Sequence, residues 1–185
     1  MTDAKYTLFL RPNAEFKGKQ MTDHKTHEVK VEIKSVDLES GLLSGYFEIT
    51  RITDAIPSMT TYFEGEIIGP NYSFITNHKD WGASKESDLQ HWQRFRQFKS
   101  LYTKIDDLLN EPVLFMRWKE RFLVPDQLRE LHGASFSGFY YMCLDQVSGI
   151  IDGFYFQRGQ LARERYQSIE LHYTWQAMNP QFEFA

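Results

Sequence analysis

Most of the chain reads with period two. Over residues 27–36, Val29, Val31 and Ile33 alternate with Lys30, Glu32 and Lys34, the mark of a strand with one face buried. The same reading predicts short strands over 47–52, 62–68, 113–123, 138–144, 153–157, 168–173 and 181–184. Glycines at 41, 45, 69, 133, 138, 149 and 153 punctuate them. One segment breaks the alternation. After Ser84 or Ser87, either of which can cap a helix, Leu89, Trp92 and Phe95 recur at helical spacing, which predicts one long helix to about Leu101. Residues 105–109 are a second, shorter helical candidate. The expected fold class is all-β: a single antiparallel β-barrel of about eight strands, with a helical insertion over about 84–109. Closure of the sheet removes the exposed edges that aggregate.

Composition changes this picture in three ways. Of 185 residues, 16% are aromatic, which excludes a disordered chain and suits either a dense core or a lined pocket. The formal net charge of −4 argues against a dedicated nucleic-acid binder. A single cysteine, Cys143, excludes an internal disulfide and a cysteine-rich zinc site. No apolar run reaches the ~18 residues of a membrane span, and the first twenty residues are too polar for a signal peptide. A reducing compartment follows: cytoplasm, with the nucleus possible. The length fits one domain, read as an N-terminal extension over 1–15 and a barrel domain over 16–185.

The segment Phe115-Met116-Arg117-Trp118-Lys119-Glu120-Arg121-Phe122 carries the sharpest chemical signal. As a strand it puts Arg117, Lys119 and Arg121 on one face, and Met116, Trp118, Glu120 and Phe122 on the other. Glu120 is then a lone carboxylate on an apolar face. Such a group must be paired, strongly hydrogen-bonded, or neutral. Its partner is a cation brought by a ligand, an Arg or Lys from another strand, or solvent at a strand end.

Other candidates are weaker. Glu64 and Glu66 share a strand face about 6.5–7 Å apart, a spacing that paired catalytic carboxylates use, but a solvated face explains them more simply. The glycines around Ser135 do not match a nucleophile elbow. Cys143 reads as a small buried hydrophobe. His24 and His27 lack further metal ligands, so no metal and no cofactor are expected. The aromatic and cationic alternation over 92–98 reads as an amphipathic helix packed on the barrel.

Several undivided strings resemble one family. They are Phe115-Met116-Arg117-Trp118-Lys119-Glu120 with Phe122-Leu123-Val124-Pro125-Asp126, Gly133-Ala134-Ser135-Phe136, Gly138-Phe139-Tyr140-Tyr141, Thr60-Thr61-Tyr62-Phe63-Glu64-Gly65-Glu66-Ile67-Ile68, and His91-Trp92. In this order they resemble the vacuolar-import-and-degradation family, the N-degron substrate receptors of the GID/CTLH ubiquitin ligase. The resemblance implies a binding module rather than an enzyme. Its barrel pocket would capture the free N-terminus of a target protein, typically proline, for ubiquitylation and proteasomal degradation. It implies that Glu120, Tyr140 and Tyr155 bind the terminal amine. Mouth contacts fall on Leu131, Ser135 and Phe136, and apolar wall positions on Val29, Ile49, Ile52, Met59 and Leu123. Polar contacts fall on Gln20 and Gln167. The tail over about 180–185 would anchor on the ligase's armadillo-repeat scaffold through Phe182, Phe184 and Ala185. The implied partners are N-terminal peptides and that scaffold, with no nucleic acid and no membrane. The alternative the barrel allows is a lipocalin-like carrier of a small apolar ligand.

Overall fold

Eight antiparallel strands pair in chain order and close between first and last: β1 (Glu15–Met21), β2 (Thr26–Asp37), β3 (Leu42–Thr53), β4 (Ile56–Ile67), β5 (Val113–Val124), β6 (Phe139–Asp145), β7 (Ile150–Phe156) and β8 (Gln167–Tyr173). The computed structural model describes residues 8–22, 25–53, 55–124, 137–158 and 167–175. Expected strand 181–184 lies outside them. The eighth strand is instead β1, which period-two reading misses because its inward positions are Phe16, Gly18 and Gln20. Gly18 has no room for a side chain: a Cβ there would sit 1.7 Å from the Glu170 carbonyl oxygen. The barrel core also reaches into the segment read as an extension, since Phe9, Leu10 and Ala14 are buried in it.

The long connection between β4 and β5 carries the insertion. Its elements are α1 (Lys85–Trp92), α2 (Phe98–Leu101) and 3-10 turns at Lys79–Trp81 and Ile105–Asn110. Ser84 and Ser87 cap α1 reciprocally, each side chain accepting the other's backbone N–H. The expected single helix to Leu101 is broken. Arg94 and Phe95 make i→i+3 bonds to His91 and Trp92, which tighten the chain and turn Phe95 into the core.

Two cores result. One fills the barrel, with Phe63 stacked on Trp118 at 4.6 Å between ring centres. The other lies outside the wall, where Phe74, Trp92, Phe95 and Phe98 of the insertion cover Phe115, Tyr141 and Phe154. Strand β5 is therefore buried on both faces from Val113 to Lys119, and β6 almost throughout. Cys143 sits in the outer core as the small hydrophobe expected, its thiol pushed up to about 12 by burial.

Two expectations about polar residues change. Glu66 is not on a solvated face. It is 6% exposed and accepts from the Arg117 guanidinium at 3.0 Å and from the His78 ring. Glu64 stays half exposed, 3.8 Å from Arg121. Phe122 does not face inward with Glu120. A bulge makes Phe63 pair with Glu120 but Tyr62 pair with Phe122, so Arg121 is the extra residue. Phe122 turns outward, 54% exposed, and stacks on Tyr62.

Candidate functional site

The connections β1–β2, β3–β4, β5–β6 and β7–β8 all leave from one end of the barrel, and the β4–β5 connection that carries the insertion leaves from the other. Just inside that end the strand registers gather the sequence-predicted residues. Val29, Ile49 and Met59 are successive cross-strand partners on β2, β3 and β4. Thr61 pairs with Leu123, and Phe63 with Glu120. Trp118, Tyr140, Tyr155 and Gln167 continue the ring from β5 to β8. The bulge at Arg121 is what brings Leu123 to the same face as Glu120, since strict alternation would separate them. Ile52 lies in β3, and its side chain is outside the described residues. So are Leu131, Ser135 and Phe136, and Phe182, Phe184 and Ala185.

Glu120 accepts a 2.6 Å hydrogen bond from the Thr61 hydroxyl. Among the described residues it has no ion-pair partner. Burial pushes its carboxyl above the ordinary range; the Thr61 bond and the Lys119 charge beyond the wall pull the other way. One of the three resolutions left by the sequence is thereby closed among the described residues: no internal cation pairs with Glu120, a half-buried side chain at the end of the buried stretch of β5.

A polar chain faces this carboxylate. Tyr140 donates to Gln20 at 2.9 Å, and Gln20 donates to Gln167 at 2.8 Å, linking β6, β1 and β8. Because the Tyr140 proton goes to Gln20, its oxygen keeps lone pairs that can accept from a donor. The Tyr140 and Tyr155 rings lie 5.0 Å apart. Both phenols are raised, chiefly by burial and further by the Glu120 charge, which places all three in one electrostatic neighbourhood.

Three residues missed by sequence reasoning hold this group. Thr61 supplies the hydroxyl. On the outer face, buried Lys119 donates to the Gly138 carbonyl at 2.7 Å, while the Gly138 N–H donates to the Tyr155 hydroxyl at 3.1 Å. A Cβ on Gly138 would lie 2.5 Å from the Tyr155 ring, so the start of β6 presses on Tyr155 as only glycine permits. No local signal reveals these contacts, because each joins strands whose register depends on the closed barrel. Chemically the arrangement is one carboxylate without a cation among the described residues, a phenol oxygen offering lone pairs, and apolar walls. It suits a small ligand with a protonated amine.

Residues 9–174 match the family described as "Vacuolar import and degradation protein". The chain belongs to the vacuolar import and degradation family. Within it, the chain is 36% identical to the mouse "Glucose-induced degradation protein 4 homolog", over 96% of this chain and 83% of that protein. It is 34% identical to the Schizosaccharomyces pombe "GID complex substrate-recognition subunit 4", over 95% and 97%. It is 32% identical to the Saccharomyces cerevisiae "GID complex substrate-recognition subunit 10", over 91% and 72%. The two yeast relatives are thus named as subunits that recognise substrates in the GID complex.

Proposed function

We propose that this chain is the substrate-receptor subunit of a GID-type ubiquitin ligase and that its barrel captures the free N-terminus of target proteins, proline first among them. The observation that carries this reading is Glu120, a carboxylate held on the inner wall with a threonine hydroxyl but no cation among the described residues. A protonated N-terminus supplies the missing charge. An α-amine with pKa about 8 is mostly protonated at pH 7. The secondary ammonium of proline has two N–H donors, one for Glu120 and one for the Tyr140 oxygen. Its rigid ring enters between Val29, Met59 and the tyrosines with little loss of entropy. Terminal-amine capture is a recurring mode of peptide recognition.

In this role the chain performs no chemistry of its own. It works in the cytoplasm or nucleus and presents the target to the ligase's catalytic subunits, with the tail at Phe182, Phe184 and Ala185 as its contact to the scaffold. Engagement of only a few residues sets affinity near micromolar, about −8 kcal/mol. The carrier reading has less support, because Phe47, Phe63 and Trp118 are buried in the core that fills the barrel.

The test is calorimetry with two peptides identical except at the N-terminus, one beginning with free proline and one acetylated. Binding of the free peptide alone is expected, since acetylation removes the charge and leaves Glu120 buried without a partner. Equal binding of both would move the site away from the terminus.

A further inference from the structure

The outer wall carries a second recess that the pocket does not use. Two grooves adjoin there. The first, about 350 Å³, starts at Met21 and Ser168 and passes Phe154 to Phe95 and Arg96 of the insertion. The second, about 580 Å³, shares Phe95 and Arg96 and continues past Phe98 and Lys99 to Tyr102. Its floor is apolar, and Tyr102 is 47% exposed. Its charged lining is entirely basic, although the chain as a whole carries −4. Arg96 and Lys99 are exposed, and among the described residues their side chains make no ion pair and no hydrogen bond. The first groove is mixed in sign, with Arg94 over the Phe154 ring at 4.9 Å and with Asp152 and Glu170 on the barrel side.

The position of this recess suggests its occupant. Met21 and Ser168 are cross-strand partners. They directly follow Gln20 and Gln167 in sequence, the amide pair at the pocket. The groove therefore begins one residue from the site that holds the N-terminus, on the outside of the same rim.

We propose that this groove is a second contact site for the target chain. The segment leaving the pocket crosses the rim at Met21 and Ser168. It then lays an apolar or aromatic residue against Phe95, Phe98 and Tyr102, with acidic residues beside Arg96 and Lys99. An extended chain advances about 3.3 Å per residue, so this stretch lies several residues downstream of the N-terminus. The unpaired cations on an apolar floor select the acidic–apolar composition, by the complementarity that fixes register and partner choice at interfaces. The inference rests on N-terminal capture.

The test uses the full chain and three peptides sharing one proline-led sequence. One stops at five residues. One extends to fourteen with a Phe flanked by Asp and Glu. One extends identically with Lys in place of the acids. The acidic extension should tighten binding at least fivefold over the short peptide, and the basic extension should not. The double variant Arg96→Glu with Lys99→Glu should abolish that gain and favour the lysine peptide, leaving the short peptide within twofold. The gain should shrink with salt. Equal binding of all three peptides would overturn the groove while leaving the pocket standing. Failure of the short peptide itself would overturn the pocket reading, and the groove with it.

Discussion

Two carboxylates lie on opposite faces of the same wall, and the protein treats them differently. Glu66 on the outside is closed by Arg117 and His78 beneath the helical insertion. Glu120 on the inside, on the neighbouring strand, receives only the Thr61 hydroxyl among the described residues. Burial alone therefore does not mark a functional carboxylate. What separates the two is the source of the counter-charge. At Glu66 it is internal, and the group is part of the fold. At Glu120 no described residue supplies it, and in the proposed receptor the partner arrives with the ligand. In that proposal the carboxylate carries this cost in the free protein.

The largest effect that would sharpen the comparison is at Glu66. Glu66→Gln strands the Arg117 guanidinium, which is 1% exposed, and is expected to lower stability by about 3–5 kcal/mol. Chemical denaturation measures this, and the folded fraction should still bind a proline-led peptide normally. A loss under 1 kcal/mol would mean that the outer pair is not structural. Glu120→Gln should do the reverse. Peptide binding should weaken by about 2 kcal/mol or more, roughly thirtyfold, with the melting temperature unchanged or raised. Calorimetry and thermal melts on one preparation decide it, and retained affinity would remove Glu120 from the site.

Lys119→Met deprives the Gly138 carbonyl of its donor and releases the start of β6 from Tyr155. A loss of about 1–2 kcal/mol in stability is expected, with a several-fold loss of peptide affinity. An unchanged affinity would confine Lys119 to the outer core.

The smallest effect concerns pH. The folded Glu120 carboxyl is raised, so free-protein stability from this group is fully present below its unfolded value and declines as pH rises through the folded one. Binding runs oppositely: it should strengthen over that same interval, then fall near pH 8 as the peptide amine loses its proton. Thr61→Val removes the hydroxyl that lowers this pKa, so the acidic limb of the binding curve should move to higher pH. A flat profile between these limits would show that charge pairing does not govern capture.

The sequence was informative where one face of a strand meets one core. Strands β2 and β3 and the alternation around Glu120 were legible from period two alone. Phe122 was misplaced because a bulge shifts register by one residue, and nothing local announces it. The inward face of β1 was hidden because Gly18 and Gln20 serve close approach and hydrogen bonding, not burial of apolar area. Glu66 was misread because its cover is the insertion, a layer that the strand's own alternation cannot anticipate.

By itself, then, the sequence determined the all-β class, the helical interruption, the family motifs and the oddity of a carboxylate on an apolar face. These follow from local periodicity and from undivided strings of residues. Only the tertiary structure decided which carboxylate is satisfied, which face of β5 is covered, and that Phe122 turns away from Glu120. Those outcomes depend on register and on contacts between strands far apart in the chain, such as Tyr140 with Gln20, and they exist only once the barrel closes.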